Sequence, residues 1–211
     1  RLGDQRFRAD YNFFSYNLGL SFSSLRRQAF QNVGPRAGIV TNIEFRKGLE
    51  ERSAEKIYVD ATLYAPGLHP NHNLKVSGAY QKESLDNRYQ YSDRFVYVRG
   101  YNSFFNNEFS RLSVDYGLPL LYPDFGILGL TYFKRIRANL FYDYGVGQIP
   151  QGDLPDVSVD FSSVGVELIF DNTVINLLPV SIGLRQSYLL EVGRFHDGTR
   201  YPFEVFLGVG I

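Results

Sequence analysis

Cysteine, tryptophan and methionine are absent from the 211 residues, and histidine occurs only three times. Without cysteine there is no disulfide framework, no thiolate nucleophile and no cysteine-ligated metal. Charge of one sign is missing too. Lys+Arg and Asp+Glu are both 22, so no overall field points to nucleic acid or to an anionic surface. No apolar run approaches the roughly 18 residues of a transmembrane helix. The signatures of a nucleophile elbow, a phosphate-binding loop and a zinc-protease helix are all missing. No enzyme activity and no cofactor are expected. His69 and His72 have ligand-like spacing. They stand in a Pro/Asn-rich turn without a third ligand, and His196 is remote, so no metal site is expected. Gly208-x-Gly210 sits in a strand pattern rather than at a helix start, which excludes a dinucleotide fingerprint. Lys134-Arg135-x-Arg137 is not a nucleic-acid patch, because alternate strand residues point opposite ways. Asp115 and Glu167 read as water-facing wall residues, although paired carboxylates for glycoside chemistry stay open.

What the chain does have is alternation. Leu128-x-Leu130-x-Tyr132 and Ile136-x-Ala138-x-Leu140-x-Tyr142 make one greasy face, while Arg135, Arg137, Asn139 and Asp143 occupy the other. A soluble sheet seldom places arginine and aspartate together on the side that should be its core. A barrel standing in lipid does so, because its outside is dry and its bore is wet. The mean hydropathy of −0.20 does not argue against this, since half of each spanning strand is polar. The aromatics, 18 Phe and 16 Tyr, suit the boundary between acyl chains and headgroups.

Nine alternating strands are expected, at about 10–24, 36–46, 55–65, 73–82, 108–118, 128–143, 157–170, 180–191 and 201–211. Pro119 is expected to stop the fifth. Connections near 66–72, 119–127 and 171–179 look compact. Those near 47–54, 83–107, 146–156 and 192–200 look longer, as expected of outward loops. The segment 25–34 is long for the end it would occupy. The fold class is therefore an all-β transmembrane antiparallel barrel, one domain over 1–211. An odd count does not close an antiparallel ring, so further strands before Arg1 are expected. The competing reading is a soluble β-sandwich or lipocalin-like barrel, with the apolar face inside.

Two motifs stand about forty residues apart. Val98-Arg99-Gly100-Tyr101 lies in the long loop, and Phe141-Tyr142-Asp143-Tyr144-Gly145 ends the sixth strand. Their order and spacing resemble the BamA-type surface-antigen family of outer-membrane barrels. The likeness is good from about Leu74 onward and loose before it. It implies that the chain is the last nine strands of a sixteen-stranded barrel in the outer membrane of a diderm bacterium. It also implies a loop folded into the lumen, with Arg99 paired to Asp143. Gly100 would allow close backbone approach, Gly165 would leave room for the loop, and Glu167 and Arg185 would be secondary lumen partners. The chain departs from the family by ending in Ile211 rather than an aromatic residue. Its long loop is also short for an insertase.

The resemblance implies assembly, insertion or translocation of proteins. Partners would be outer-membrane lipid, unfolded barrel clients or a secreted protein, and other envelope-complex subunits, without nucleic acid. A weak lateral seam would run past Phe206, Gly208 and Gly210, since glycine weakens strand pairing. The alternative is a structural barrel that anchors a periplasmic domain or joins a larger complex. A third reading, a solute pore lined by Arg111, Arg135 and Arg185, is weaker.

Overall fold

The computed structural model describes residues 14–26, 29, 31–49, 55–84, 91, 96–103, 106–127, 129–151, 154–175, 177–191 and 199–209. Among the described residues there are ten strands and no helix. In chain order they are β1 (Ser15–Leu25), β2 (Gly38–Gly48), β3 (Glu55–Pro66), β4 (Asn73–Glu83), β5 (Glu108–Leu121), β6 (Phe125–Ile127), β7 (Thr131–Gln151), β8 (Leu154–Val174), β9 (Leu178–Leu189) and β10 (Phe203–Val209). They form one antiparallel sheet in the order β1-β2-β3-β4-β5-β7-β8-β9-β10, with the short β6 paired to β7. The sheet is open, because its first and last strands do not pair with each other.

The all-β antiparallel expectation holds, with three corrections. The short β6 makes ten strands rather than nine. Pro119 does not stop β5, which continues to Leu121. The register shifts between Pro119 and Leu121, and such an irregularity is where a strand tolerates a residue without an N–H. The segment 146–156 is not a long loop. β7 and β8 pair continuously out to Gln151↔Leu154 across one further irregularity, each strand reaching 21 residues.

Burial follows the alternation in the inverted sense. On β7, Leu140, Tyr142 and Tyr144 are 50%, 41% and 39% exposed, whereas Asn139, Phe141 and Asp143 are 8%, 3% and 0%. On β10, Phe203, Val205 and Leu207 are exposed, and Glu204 and Phe206 turn to the other side. Large apolar side chains thus cover the open face. The polar face is buried beneath part of the β4–β5 connection, where Val98, Phe109 and Phe161 form a small cluster. The apolar rows are not packed against one another in an interior, so the sandwich reading does not describe this sheet.

Candidate functional site: a loop pinned to the polar face

Four strands present a matched row to the loop. Pairing places Ser113 opposite Asp143, and Asp143 opposite Ser163. One step along, Asp115 faces Phe141, which faces Gly165. A further step brings Asn139 opposite Glu167, and Glu167 opposite Arg185. Period two puts all of these on the same side.

Arg99 comes down onto this row. Its Nε donates to Asp143 Oδ2 at 2.7 Å and its Nη2 to Asp143 Oδ1 at 2.7 Å, a two-pronged fork on one carboxylate. Its backbone N–H adds a third bond to Oδ2 at 3.1 Å. Nη1 reaches Asp115 at 2.7 Å and Glu167 at 3.4 Å, and Nη2 also donates to Ser113 Oγ at 2.9 Å. The guanidinium carbon lies 3.8 Å from the centre of the Phe141 ring, close enough for a cation–π contact. Burial works against the charge of Arg99. The hydrogen bond to Asp143 and the charges of Asp115 and Asp143 outweigh it and raise its pKa above the ordinary arginine range.

The three inward-facing residues of the second motif meet the first. Phe141 lies under Arg99, Asp143 grips it, and Gly145 accommodates Val98. A Cβ on Gly145 would stand 2.7 Å from Val98 Cγ2. Gly100 has φ of +87°, and a Cβ there would meet Leu189 at 2.8 Å. Glycine is required on both counts. The Tyr101 hydroxyl, with one proton to give, sits between the carbonyls of Ser162 at 2.9 Å and Glu191 at 2.5 Å.

Other expected residues fall differently. Gly165 does make room, but for the Phe141 ring, whose Cζ would be 2.5 Å from an added Cβ. The loop benefits indirectly, because that ring is the floor beneath Arg99. Glu167 is shared between Arg99 and Arg185, whose Nε donates to it at 2.7 Å. Arg185 goes on to Glu204 of β10 at 2.9 Å. Phe206 stands on β10, the last strand of the sheet. It lies across Gly183, 2.1 Å from where a Cβ would stand, and under Arg185 at 4.8 Å. A Cβ on Gly208 would make ordinary contact with Ser181 at 3.8 Å, and Gly210 lies outside the described residues. His72 Nδ1 is 2.8 Å from the Tyr116 hydroxyl, and His196 is outside the described residues.

Sequence reasoning did not assign Ser113, Asp115, Asn139 or Arg111 to the site. Asp115 is 4% exposed and Glu167 5%, so neither is a water-facing wall residue. Asn139 bridges them, donating at 2.8 Å to each. Arg111 approaches Asp143 from its other side at 3.3 Å. None of the three arginines proposed to line a pore is unpaired, since Arg135 also holds Asp171 at 2.7 Å. Across the site, Lys75, Arg99, Arg111 and Arg185 face Asp115, Asp143, Glu167 and Glu204, four charges against four. Among the described residues no group of three His, Asp or Glu side chains is placed for a metal. No protein-family model, curated protein or solved structure matches the chain.

Proposed function

We propose that this chain is the C-terminal part of an outer-membrane β-barrel of the BamA type, its last nine long strands, acting in the assembly, insertion or translocation of proteins. One observation carries the reading: on β5, β7, β8 and β9 the charged face is buried beneath a pinned loop while the apolar face lies bare. Lipid accounts for the bare face, since hydrocarbon covers phenylalanine and leucine at no cost. The strands from β1 to β5 have 11 to 14 residues, enough for a tilted span. The loop carrying Arg99 sits within the bore. The outer-end hairpin of β7 and β8 then rises beyond the membrane.

In this reading the working edge is β10. It meets β9 over seven residues, and no further strand lies beyond it among the described residues. A client strand adds to such an edge by backbone hydrogen bonding. The structural-anchor reading draws on the same network, whose density suits a barrel made for stability. Replacing Arg99 by alanine in the full-length protein separates the two. If the protein is an assembly device, other barrel proteins in isolated outer membranes fall while the variant's own level is maintained. Undiminished levels of those proteins beside a correctly inserted variant refute the assembly function.

A further inference from the structure

Residues 31–37 belong to the connection between β1 and β2, at the sheet end that also carries the turns 67–72 and 175–177. Those turns are compact. This segment instead folds back over the polar face. Asn32 is buried, and its carbonyl accepts from Arg135 Nη1 at 2.5 Å. The Gln31 carbonyl accepts from the Tyr122 hydroxyl at 2.6 Å, and the Val33 N–H donates to the Asn71 carbonyl at 3.3 Å. Val33 covers Gly117, where an added Cβ would meet its Cγ1 at 2.9 Å.

Gly117 stands directly opposite Asn139 in the ladder, and Asn139 opposite Glu167. The 96–103 loop therefore reaches this row from one end of the sheet and residues 31–37 reach it from the other. Between them is a cavity of about 640 Å³, with Val33 and Gly34 on one side and Arg99 on the other. Asp171 fixes the orientation of Arg135 through Nε at 2.7 Å, which leaves Nη1 aimed at the Asn32 carbonyl. A planar guanidinium can be held at one edge and bind with another.

We propose that residues 31–37 are a second closure of the bore, opposite the Arg99 loop, with Arg135 as its latch. This rests on the barrel reading above. Because two closures in series mask each other, the test uses the full-length protein with the outer one released. In planar bilayers Arg99→Ala alone stays quiet. Adding Arg135→Ala raises the frequency of conducting events about tenfold or more, as expected for the loss of one charge-assisted hydrogen bond. Residues 1–211 contain no cysteine, and Val33 Cβ lies 3.8 Å from an ideal Cβ on Gly117, well within disulfide range. The pair Val33→Cys with Gly117→Cys therefore oxidises, resists maleimide, and silences the conducting variant until reductant is added. Failure of every variant to enter the bilayer overturns the barrel reading and the closure together. An inserted protein whose two thiols stay open to maleimide overturns the closure alone. So does equal conductance with and without Arg135.

Discussion

Removing the Arg99 side chain should release the loop and leave the strands in place. The side chain is 9% exposed, and Asp143, its main partner, is fully buried. Arg99→Ala deletes the fork on Asp143, the bonds to Asp115 and Ser113, and the contact with Phe141. Losing the fork, two charge-assisted hydrogen bonds at about 1.5–2.5 kcal/mol each, costs the loop about 3–5 kcal/mol. The carboxylates are not stranded. Asp143 keeps Arg111 and Ser113, Asp115 keeps Lys75 and Asn139, and Glu167 keeps Arg185. The loss therefore falls on the loop, whose opening becomes more favourable by about two to three and a half decades at 1.4 kcal/mol per decade. The Arg99 amide, bonded to Asp143 Oδ2 at 3.1 Å, is a reporter within the loop. Hydrogen exchange on the full-length protein in lipid should show residues 96–103 exchanging about 100- to 3000-fold faster, with central β7 and β8 unchanged. Unchanged loop protection would refute the anchor. Equal acceleration of the strands would show that Arg99 holds the whole sheet rather than the loop.

Gly165→Ala places a Cβ 2.3 Å from the Gln186 carbonyl and 2.5 Å from Phe141, while Gly19→Ala meets nothing within 4 Å. In denaturant titrations the first should lose about 1–3 kcal/mol from overpacking and the second should stay within about 0.5 kcal/mol; equal midpoints would count against Gly165 as a seat for the ring. Leu140→Arg tests the surroundings of the greasy face, since Leu140 is 50% exposed. In water this change is close to neutral, whereas at the centre of a bilayer it costs about 2–4 kcal/mol. Urea unfolding from liposomes should show that loss, and an unchanged midpoint would argue against lipid on that face.

The direction of every strand face could be read from the sequence because it depends on parity alone. Leu140 and Asp143 fall on opposite sides of any strand that contains both. The partnership of Arg99 with Asp143 was expected from the family resemblance. Glu167 was expected as a lumen partner, but the burial of Asp115 and Glu167 was not foreseen, because it depends on register. Only pairing across three strands shows that they share Asn139 and sit beneath the loop. The long hairpin was missed because Gly147, Pro150, Gly152 and Pro155 are residues that turns favour. The length of 25–34 marked that connection as unusual, but its turn inward depends on Tyr122 and Arg135, about ninety and one hundred residues away. Alternation encodes sides; it does not encode distances along the chain.

The same charges also explain why the register holds. A slip of one residue turns every side chain of a strand to the opposite face. On β7 it would carry Asn139 and Asp143 outward and draw Leu140 and Tyr142 under the loop. On β5 it would expose Arg111 and Asp115, and on β9 Arg185. In lipid each arginine moved to the bilayer centre costs about 2–4 kcal/mol, and each carboxylate left behind would lose its partner. Glycine and aromatic pairs add a finer lock. Phe141 lies over Gly165 and Phe206 over Gly183, and each ring carries an arginine, Arg99 or Arg185, on its far side. Both arginines share Glu167. Such a stack forms only when all its members face the same side in the same register. An apolar anchor could hold a loop as strongly, but it would pack equally well on either face. In a barrel standing in lipid, the charged anchor would therefore fix the loop and, through the cost of exposing it to hydrocarbon, the wall on which the loop rests.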